Sequence, residues 1–309
     1  MLSRRHIRLK VMQSLYSFFS YNEKQVVSDA ELSMLQHIEE VKELNLVILS
    51  LLVNLIEYAD SFFQDGKKKH FPSSEDLNPN TRFINNKLVK DFLSDDLLSE
   101  LDNLSTFWIA NDHNVISKLF KTLYQSDLYR NYIINDDYSI DIDRKFFIKA
   151  LNNYILNNEL VHHVLEEKSI YWIDDLPFVA TIIIGEFKSD MQFIRKSVFK
   201  DSSDKEFAIR LFRDTIKHND QYEEIIMKFA RNWDLDRIAN MDQLLLKMAF
   251  AEILNMKELP VKVSMNEYIE ISKYYSTAKS KVFLNGILDN AVKDLDKKGL
   301  IKKTGRGLI

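Results

Sequence analysis

The scarcity of glycine and proline limits what this chain can fold into. Its 309 residues include only 6 Gly and 4 Pro. Sheets with many tight turns need both residue types, because they supply the special backbone angles of turns. Leucine, lysine, glutamate and isoleucine are plentiful instead, which favours helices joined by short loops. The sequence therefore predicts an all-α protein.

The composition indicates a globular chain and removes several kinds of chemistry. Hydrophobic residues make up 46% and charged residues 28%, as in ordinary folded proteins. The absence of cysteine excludes disulfides, a thiolate nucleophile and cysteine-ligated zinc. The most apolar stretch, residues 44–56, is short and interrupted by polar residues, and no apolar signal-peptide core follows the N-terminus. We therefore expect a cytoplasmic protein without a membrane segment.

No motif in the sequence indicates catalysis or a cofactor. Neither kind of glycine-rich phosphate-binding loop occurs, and there is no HExxH. His162 and His163 are adjacent and so point to different faces of a helix, where they cannot chelate one metal as an i,i+4 pair would. No spacing singles out an acid–base pair among the carboxylates. We expect no enzyme, no cofactor and no metal site.

The formal net charge of −4 is unevenly distributed along the chain. The first 22 residues contain four basic residues and His6 but no acidic residue. The tail is also free of acids and carries Lys297, Lys298, Lys302, Lys303 and Arg306. Most carboxylates lie between these ends. Two basic ends on an acidic body predict a localised anion-binding site.

Hydrophobic periodicity predicts the first helices. Residues 3–21 form one helix, with Ile7, Val11 and Leu15 on one face and the arginines exposed beside it. A long helix over about 28–64 ends at an Asp-Gly pair. A polar, proline-containing loop follows it over residues 66–80.

The last hundred residues contain the clearest helix signals. Residues 203–206 and 264–267 are capping boxes, in which a serine and a glutamate satisfy each other's free amides at a helix start. A final helix over about 279–295 contains Gly286, which costs roughly 1 kcal/mol against alanine. Close packing of another helix is the favoured reason for that glycine, and approach of RNA is the alternative.

Two segments share hydrophobic spacing at an offset of 61 positions. Residues 144–175 and 205–236 match in several apolar positions, in a tryptophan and in two polar positions. The match is consistent with duplication of a helical hairpin, and equally with two similar amphipathic hairpins.

Motifs in the C-terminal part occur in a specific order. Residues 233–238 and 241–249 precede a segment, 260–273, that fits the pattern P-x-K-V-x-x-N-E-x-[IV]-E-[IL]-[AS]-K. Residues 283–289 are similar to F-[VI]-N-G-[VIL]-L-D and differ from it only at Leu284. Together these segments resemble the NusB family of transcription antitermination proteins. The arginine-rich start of the chain resembles the first helix of that family.

The resemblance implies a bundle of two small helical subdomains and no catalysis. It also implies binding of boxA-type RNA in nascent ribosomal transcripts, together with the ribosomal protein NusE and RNA polymerase. By motif match, the residues expected to contact RNA are Arg4, Arg5, Arg8, Tyr16, Lys279, Lys281 and Phe283. Asp242 falls where the family contacts NusE. Arginines would grip phosphates, and the aromatics would stack on unpaired bases.

The chain departs from the family in three places. Lys279 stands where relatives can carry an acid, and Tyr275-Ser276 lacks a frequent glycine. Residues 22–199 are far longer than the usual connection. We therefore expect a NusB-like RNA-binding domain built from residues 1–21 and 200–309, with a helical insertion between them that contains one copy of the repeated hairpin.

Other kinds of protein remain open at this stage. One alternative is a helical protein-binding scaffold without RNA binding, which the acidic middle of the chain and the altered loop at Lys279 allow. For single residues, the alternative to RNA contact is core packing of Tyr16 and Phe283 and a solvated face for the arginines. An accessory subunit for RNA modification is disfavoured, because the related methyltransferases need a glycine-rich cofactor loop and a nucleophilic cysteine. A homodimer is also left open.

Overall fold

A computed structural model describes residues 1–20, 26–86, 88, 101, 104, 106–108, 114–188, 197–230 and 237–304. These residues form helices and loops with no strand among them, so the all-α prediction is confirmed. The helices are α1 Arg4–Ser20, α2 Val27–Lys67, α3 Ser74–Leu77, α4 Val115–Tyr124, α5 Asp127–Ile133, α6 Ile140–Ala150, a π-helical turn Leu151–Ile155, α7 Glu159–Lys168, α8 Trp172–Lys188, α9 Ser202–Lys217, α10 Asn219–Phe229, α11 Asn240–Asn255, α12 Val261–Tyr275 and α13 Ser280–Lys297.

The chain divides into two compact units. Unit 1 consists of residues 1–38 and 197–309, and unit 2 of residues 39–196. Unit 1 has 25 Lys and Arg against 20 Asp and Glu, whereas unit 2 has 17 against 26. Their formal net charges are therefore +5 and −9. A polyanion is attracted to unit 1 and repelled by unit 2.

The core of unit 1 is built around α11, which packs against α1, α9, α10, α12 and α13. Leu245, Ala249 and Ile253 are buried on α11, as is nearly every other residue of its middle turns. A helix that is apolar on all sides must be surrounded by other helices. α1 contributes Ile7 and Val11 to the same core, both fully buried. The predicted first helix and its buried face are confirmed.

Neither of the two predicted capping boxes caps its helix. α9 is capped by Asp201, whose side chain accepts hydrogen bonds from the backbone amides of Ser203 and Asp204. α12 begins right after Pro260, so Ser264 lies inside the helix and donates a hydrogen bond to Glu252 at 2.6 Å. In both places the Ser-x-x-Glu pattern is used for other contacts. A capping box does exist at Ser73, which begins the short helix α3 inside the predicted loop.

Unit 2 has a core of packed aromatic rings. Phe83 lies within 6.1 Å of the ring centroids of Phe120, Tyr129, Phe146 and Phe147. Such edge-on and offset contacts add to the stability gained from burying the rings.

The long helix α2 confirms the prediction of a helix that ends near residue 65. By length and composition it is apolar enough to cross a bilayer, contrary to the expectation from residues 44–56 alone. However, 61% of its most apolar 18-residue window is buried inside the protein, which is typical of a core helix.

The repeated segments both form helical hairpins, α6–α7 and α9–α10. Phe146 and its counterpart Phe207 are both buried. The first hairpin contains the π-helical turn, which the second lacks. The end of the second segment, residues 231–236, lies outside the described residues, so duplication stays a hypothesis.

Candidate nucleic-acid interface

Arg8, one of the predicted RNA contacts, is buried in the core of unit 1. It is 2% exposed, and its guanidinium donates to both oxygens of Glu252, at 2.8 and 2.6 Å. Glu252 is fully buried and also accepts hydrogen bonds from Ser264 and from the Tyr268 hydroxyl. Both oxygens of Glu252 and two of the three guanidinium nitrogens of Arg8 are thus hydrogen-bonded, and the third nitrogen lies 3.9 Å from Glu267. The predicted exposure of Arg8 is wrong, because α11 presents a carboxylate to the buried side of α1.

Electrostatics explains why Arg8 stays charged although it is buried. Burial opposes the charge of Arg8, but the hydrogen bonds and attraction from Glu252 outweigh it and raise its pKa. The guanidinium also lies over the Phe207 ring, 5.1 Å from its centroid. Burial and the neighbouring Glu252 raise the pKa of Tyr268 well above its usual value, so its hydroxyl remains a donor. Arg8 thus fixes α1 to α11 and does not face a ligand.

Arg4 and Arg5 remain partly exposed but are not free. Arg5 donates to both oxygens of Glu267 at 2.8 Å, and Arg4 donates to Asp204 at 3.1 Å. The Arg5 side chain is half exposed. The hydrogen bond from Arg5 lowers the pKa of Glu267. A phosphate can reach the outer edge of these guanidinium groups while the carboxylates hold them in place.

His6 does not add to the positive charge of α1. Burial, and then the charge of Arg5, lower its pKa to about 4. The imidazole is therefore neutral near pH 7, and its Nδ1 lies 2.7 Å from the Ser3 hydroxyl. The cationic start of the chain is carried by its arginines alone.

Lys281 shares a surface with Arg5. Both lie close enough to Glu270 on α12 to lower the pKa of that carboxylate, after the larger effect of its hydrogen bond from Lys273. α1, α12 and α13 thus bring Arg5, Lys273 and Lys281 around one glutamate. Lys279 is exposed just before the start of α13, on the turn that leads into this surface.

Tyr16 lies at the other end of α1, on a separate cleft. It is 42% exposed and lines the cleft with Phe19, Asn240 and Gln243, so the alternative of a core position does not apply. Lys247 at the base of the cleft donates to Glu223 at 2.6 Å and lies 5.2 Å from the Phe19 ring centroid. Neither Phe19 nor Lys247 was predicted as a site residue.

Phe283 lines a third place, a groove between α10 and α13 with a volume of about 650 Å³. Its ring is half-buried against the helix, and the neighbouring Val282 is 75% exposed. Gly286 lies on the same groove, and a side chain added there would meet nothing within 4 Å. The close packing predicted for this glycine is therefore wrong. Because Gly286 has no side chain, the backbone of α13 is accessible from the groove at this position.

Two lysines complete this groove. Lys293 and Lys297 line it together with Asp294, which pairs with Lys228 and Lys298. Sequence reasoning missed Lys293 as a site residue and treated Lys297 only as part of the basic tail. A usable signal exists, because residues 283, 286, 290, 293 and 297 follow the three- and four-residue steps of one helical face.

Asp242, the residue predicted to contact NusE, is only 6% exposed, and its role toward NusE stays a prediction. Its carboxylate accepts hydrogen bonds from the hydroxyls of Ser276 at 2.6 Å and Ser280 at 2.8 Å. These bonds fix the turn between α12 and α13. Ser276, which departs from the family's frequent glycine, supplies one of them.

Part of the basic tail is also bound to unit 1. Lys303 donates to the backbone carbonyls of Glu252 and Met256, and burial lowers its pKa. The Thr304 amide donates to the carbonyl of Lys257. Arg306 lies outside the described residues. Of the predicted cationic tail, Lys297 faces the groove.

Unit 1 is thus an all-helical unit with a positive net charge and three solvent-accessible places. In the part of the chain that the structure describes, no group of three metal-ligating side chains comes together.

Comparison with known proteins identifies the family. Residues 178–293 match the model of the NusB family. The transcription antitermination protein NusB of Salinibacter ruber is 47% identical over 116 residues, which cover 38% of this chain and 72% of that protein. NusB of Chloroherpeton thalassium is 41% identical over 38% of this chain and 55% of its own length. NusB of Methylacidiphilum infernorum is 42% identical over 32% of this chain and 68% of its own length. No solved structure matches.

The chain belongs to the NusB family and is a NusB-like transcription antitermination protein. The family match begins in α8 and does not include α1. Most of unit 2, residues 39–177, lies outside it as well. The helical domain arrangement expected from the sequence therefore stays a prediction for those parts.

Proposed function

We propose that unit 1 binds single-stranded, boxA-type RNA and acts without catalysis in a cytoplasmic antitermination complex. The groove between α10 and α13 carries this proposal. It combines an aromatic ring, a bare helix backbone at Gly286 and two lysines along one face. An unpaired base can stack on Phe283 while Lys293 and Lys297 neutralise phosphates.

The surface around Glu270 carries further cations that we propose bind RNA. Arg4, Arg5, Lys279 and Lys281 are the further RNA contacts that we propose, and Tyr16 is a stacking residue at the separate cleft. Arg8 has no place in this set. An RNA strand that engages several of these lysines and arginines loses affinity with added salt, with a slope of about −0.7 per phosphate for single strands.

The groove is tested by fluorescence anisotropy with labelled boxA-type RNA and the full chain. Phe283→Ala is expected to weaken binding by about five- to a hundredfold, since stacking contributes about 1–3 kcal/mol per base. The matched control is Tyr274→Ala, which removes an exposed aromatic of α12 that does not line the groove. Equal affinities for the two variants would overturn the role of the groove.

The arginines need a different control. Arg5→Ala should weaken RNA binding and reduce the salt slope. Arg213→Ala is its match, because Arg213 is exposed and also donates through two nitrogens to one carboxylate, Glu31. A triple variant that includes Arg8 is unsuitable, since it removes the buried partner of Glu252.

Joint action with NusE and RNA polymerase is the finer part of the proposal. Asp242 contributes by holding the α12–α13 turn, and not by direct contact. Asp242→Asn should therefore leave the helical content unchanged and alter both RNA and NusE binding, as measured by co-elution of purified NusE with the chain. Altered NusE binding with unchanged RNA binding would instead assign Asp242 to the protein interface.

One observation favours a second candidate, a protein-binding scaffold without RNA contact. All three arginines of α1 are paired with carboxylates of unit 1. In that case the wild type, Arg5→Ala and Phe283→Ala would show the same weak, salt-insensitive response to RNA.

A further inference from the structure

We propose that a pocket in unit 2 binds a basic polypeptide segment through one apolar anchor side chain. The pocket has a volume of about 640 Å³, within the range of about 300–1,000 Å³ of ligand pockets. Its walls come from the end of α2, the α3 turn and the helices α4 and α5. It is separate from the three places described on unit 1, and this inference does not depend on RNA binding.

The lining of the pocket fits an apolar anchor. Phe63, Tyr124, Tyr129 and Ile133 supply aromatic and aliphatic walls. Tyr129 is also nine-tenths buried, and its hydroxyl has no hydrogen-bond partner among the described residues. A buried hydroxyl without a partner loses free energy that an incoming polar group restores. The carboxamides of Asn78 and Gln125 at the lining can bind the backbone of an extended peptide.

Exposed apolar side chains of unit 2 are concentrated in two stretches of chain that contribute to this pocket. In the described part of unit 2, five large hydrophobic side chains are exposed, and four of them belong to residues 71–77 and 134–138, which also supply Glu75 and Ile134 to the lining. The four are Phe71, Leu77, Ile134 and Tyr138. Ile134, at 74% exposure, lines the pocket itself. An apolar concentration of this kind is typical of a surface that a partner covers.

Charge decides which partner fits. Unit 2 has a formal net charge of −9. At the mouth, Glu75 has no ion-pair partner among the described residues. Its charge adds to the effect of burial in raising the pKa of the Tyr124 hydroxyl. Arg130 lines the pocket and pairs with Asp127 at 3.5 Å, and Lys69 pairs with Asp76 at 2.8 Å, so the charges of these two pairs sum to zero and Glu75 leaves the mouth negative. A segment whose anchor is flanked by lysine or arginine is therefore attracted, and RNA is repelled.

The test uses the full chain and a fluorescein-labelled synthetic peptide with one central phenylalanine flanked by lysines. We expect saturable binding by fluorescence anisotropy. Replacing the phenylalanine by serine should weaken it at least tenfold, since a buried aromatic anchor carries most of such an interaction. Replacing the lysines by glutamates should abolish it. No binding of the phenylalanine peptide, or equal binding of the phenylalanine and serine peptides, would overturn the proposal.

Matched variants of the protein locate the binding. Ile134→Ser and Glu75→Gln should each weaken the phenylalanine peptide about threefold or more. Ile170→Ser and Glu159→Gln are the controls, because Ile170 is equally exposed and Glu159 is likewise in the first turn of a helix of unit 2, and neither lines the pocket. Equal losses in variants and controls would overturn the assignment to this pocket. So would self-association that Ile134→Ser abolishes, which would assign the pocket to a second copy of the chain.

Discussion

Two buried glutamates, one in each unit, differ in how their charge is compensated. In unit 1, Arg8 and Glu252 neutralise each other inside the core, and two hydroxyls satisfy the remaining lone pairs of the carboxylate. In unit 2, Glu186 is 1% exposed, and neither of its oxygens accepts a well-oriented hydrogen bond from a described residue, although Asn45 lies nearby. Unit 1 thus pairs its buried glutamate with a cation, whereas in unit 2 burial raises the pKa of Glu186 to about 7. The buried Asp143 of unit 2 does have partners, since Arg82 lies 3.9 Å away and the Tyr132 hydroxyl donates to it at 2.8 Å.

The difference shows again in how each unit uses arginine. Arg82 of unit 2 is buried and donates to backbone carbonyls, including that of Tyr132 at 2.8 Å, while its guanidinium lies 4.4 Å from the ring centroids of Tyr132 and Tyr138. Arg5 of unit 1 stays half exposed on its carboxylate. Arg82 thus binds the backbone of its own unit, whereas Arg5 remains accessible to a phosphate. Arg82 therefore serves the fold of unit 2, as Arg8 serves that of unit 1, whereas Arg5 remains partly available to a ligand.

The largest expected effect comes from breaking the buried pair of unit 1. Glu252→Ala leaves Arg8 charged and without its partner, which costs about 3–5 kcal/mol of unfolding free energy. Urea denaturation followed by circular dichroism measures it. The control is Glu258→Ala, whose exposed pair with Arg210 at 3.2 Å contributes about 1 kcal/mol or less. Similar losses for the two variants would contradict the contrast drawn for unit 1.

The next effect tests the unpaired acid of unit 2. Burial raises the pKa of Glu186 to about 7, from 4.5. The unfolded chain therefore ionises first, and the free energy of unfolding falls as the pH rises from about 4.5 to 7. Glu186→Gln removes this loss and should stabilise the protein by about 3 kcal/mol above pH 7 but not below pH 4.5.

Denaturation across this pH range measures the effect of Glu186→Gln. Glu159→Gln, at an exposed position of the same unit, should show no such pH dependence. A difference between Glu186→Gln and the wild type that does not change with pH would mean that Glu186 is ionised in the folded protein.

Helix caps give a smaller effect that is similar in both units. Asp201→Ala in unit 1 and Ser73→Ala in unit 2 should each cost about 1 kcal/mol, because each removes side-chain acceptors for free backbone amides. Ser203→Ala should cost less, since it changes the predicted cap position and leaves the actual cap in place. The free energy of unfolding from urea titrations separates the three. A larger loss for Ser203→Ala would restore the capping box predicted at residues 203–206.

The smallest effect on stability separates a glycine of the groove from one outside it. Gly286→Ala in α13 and Gly185→Ala in α8 both have open space for the methyl group. Each should raise helix stability by at most about 1 kcal/mol. RNA affinity should fall only for Gly286→Ala, where the strand approaches the bare backbone. Unchanged affinity for both would mean that the groove needs no glycine.

The helices were predictable because each depends on local periodicity. α1, α2 and α13 lie where the apolar spacing places them, within a few residues. Helix starts were less predictable: the serines of the predicted boxes at residues 203–206 and 264–267 bind other groups, and only tertiary packing shows which. The exposure of Arg8 was misjudged for the same reason, since its carboxylate partner is 244 residues away in the chain.

Amino-acid types alone determined the all-helical class, the uneven charge and the NusB-like motifs, because turn chemistry, ionisation and short-range spacing are properties of the residues themselves. The tertiary structure decided which cations are consumed in the core and which face solvent. It also placed Lys293 and Lys297 beside Phe283 and formed the aromatic pocket of unit 2 from segments far apart in the chain. A charge is buried or free according to what packs against it, and distant helices supply those neighbours only once the chain has folded.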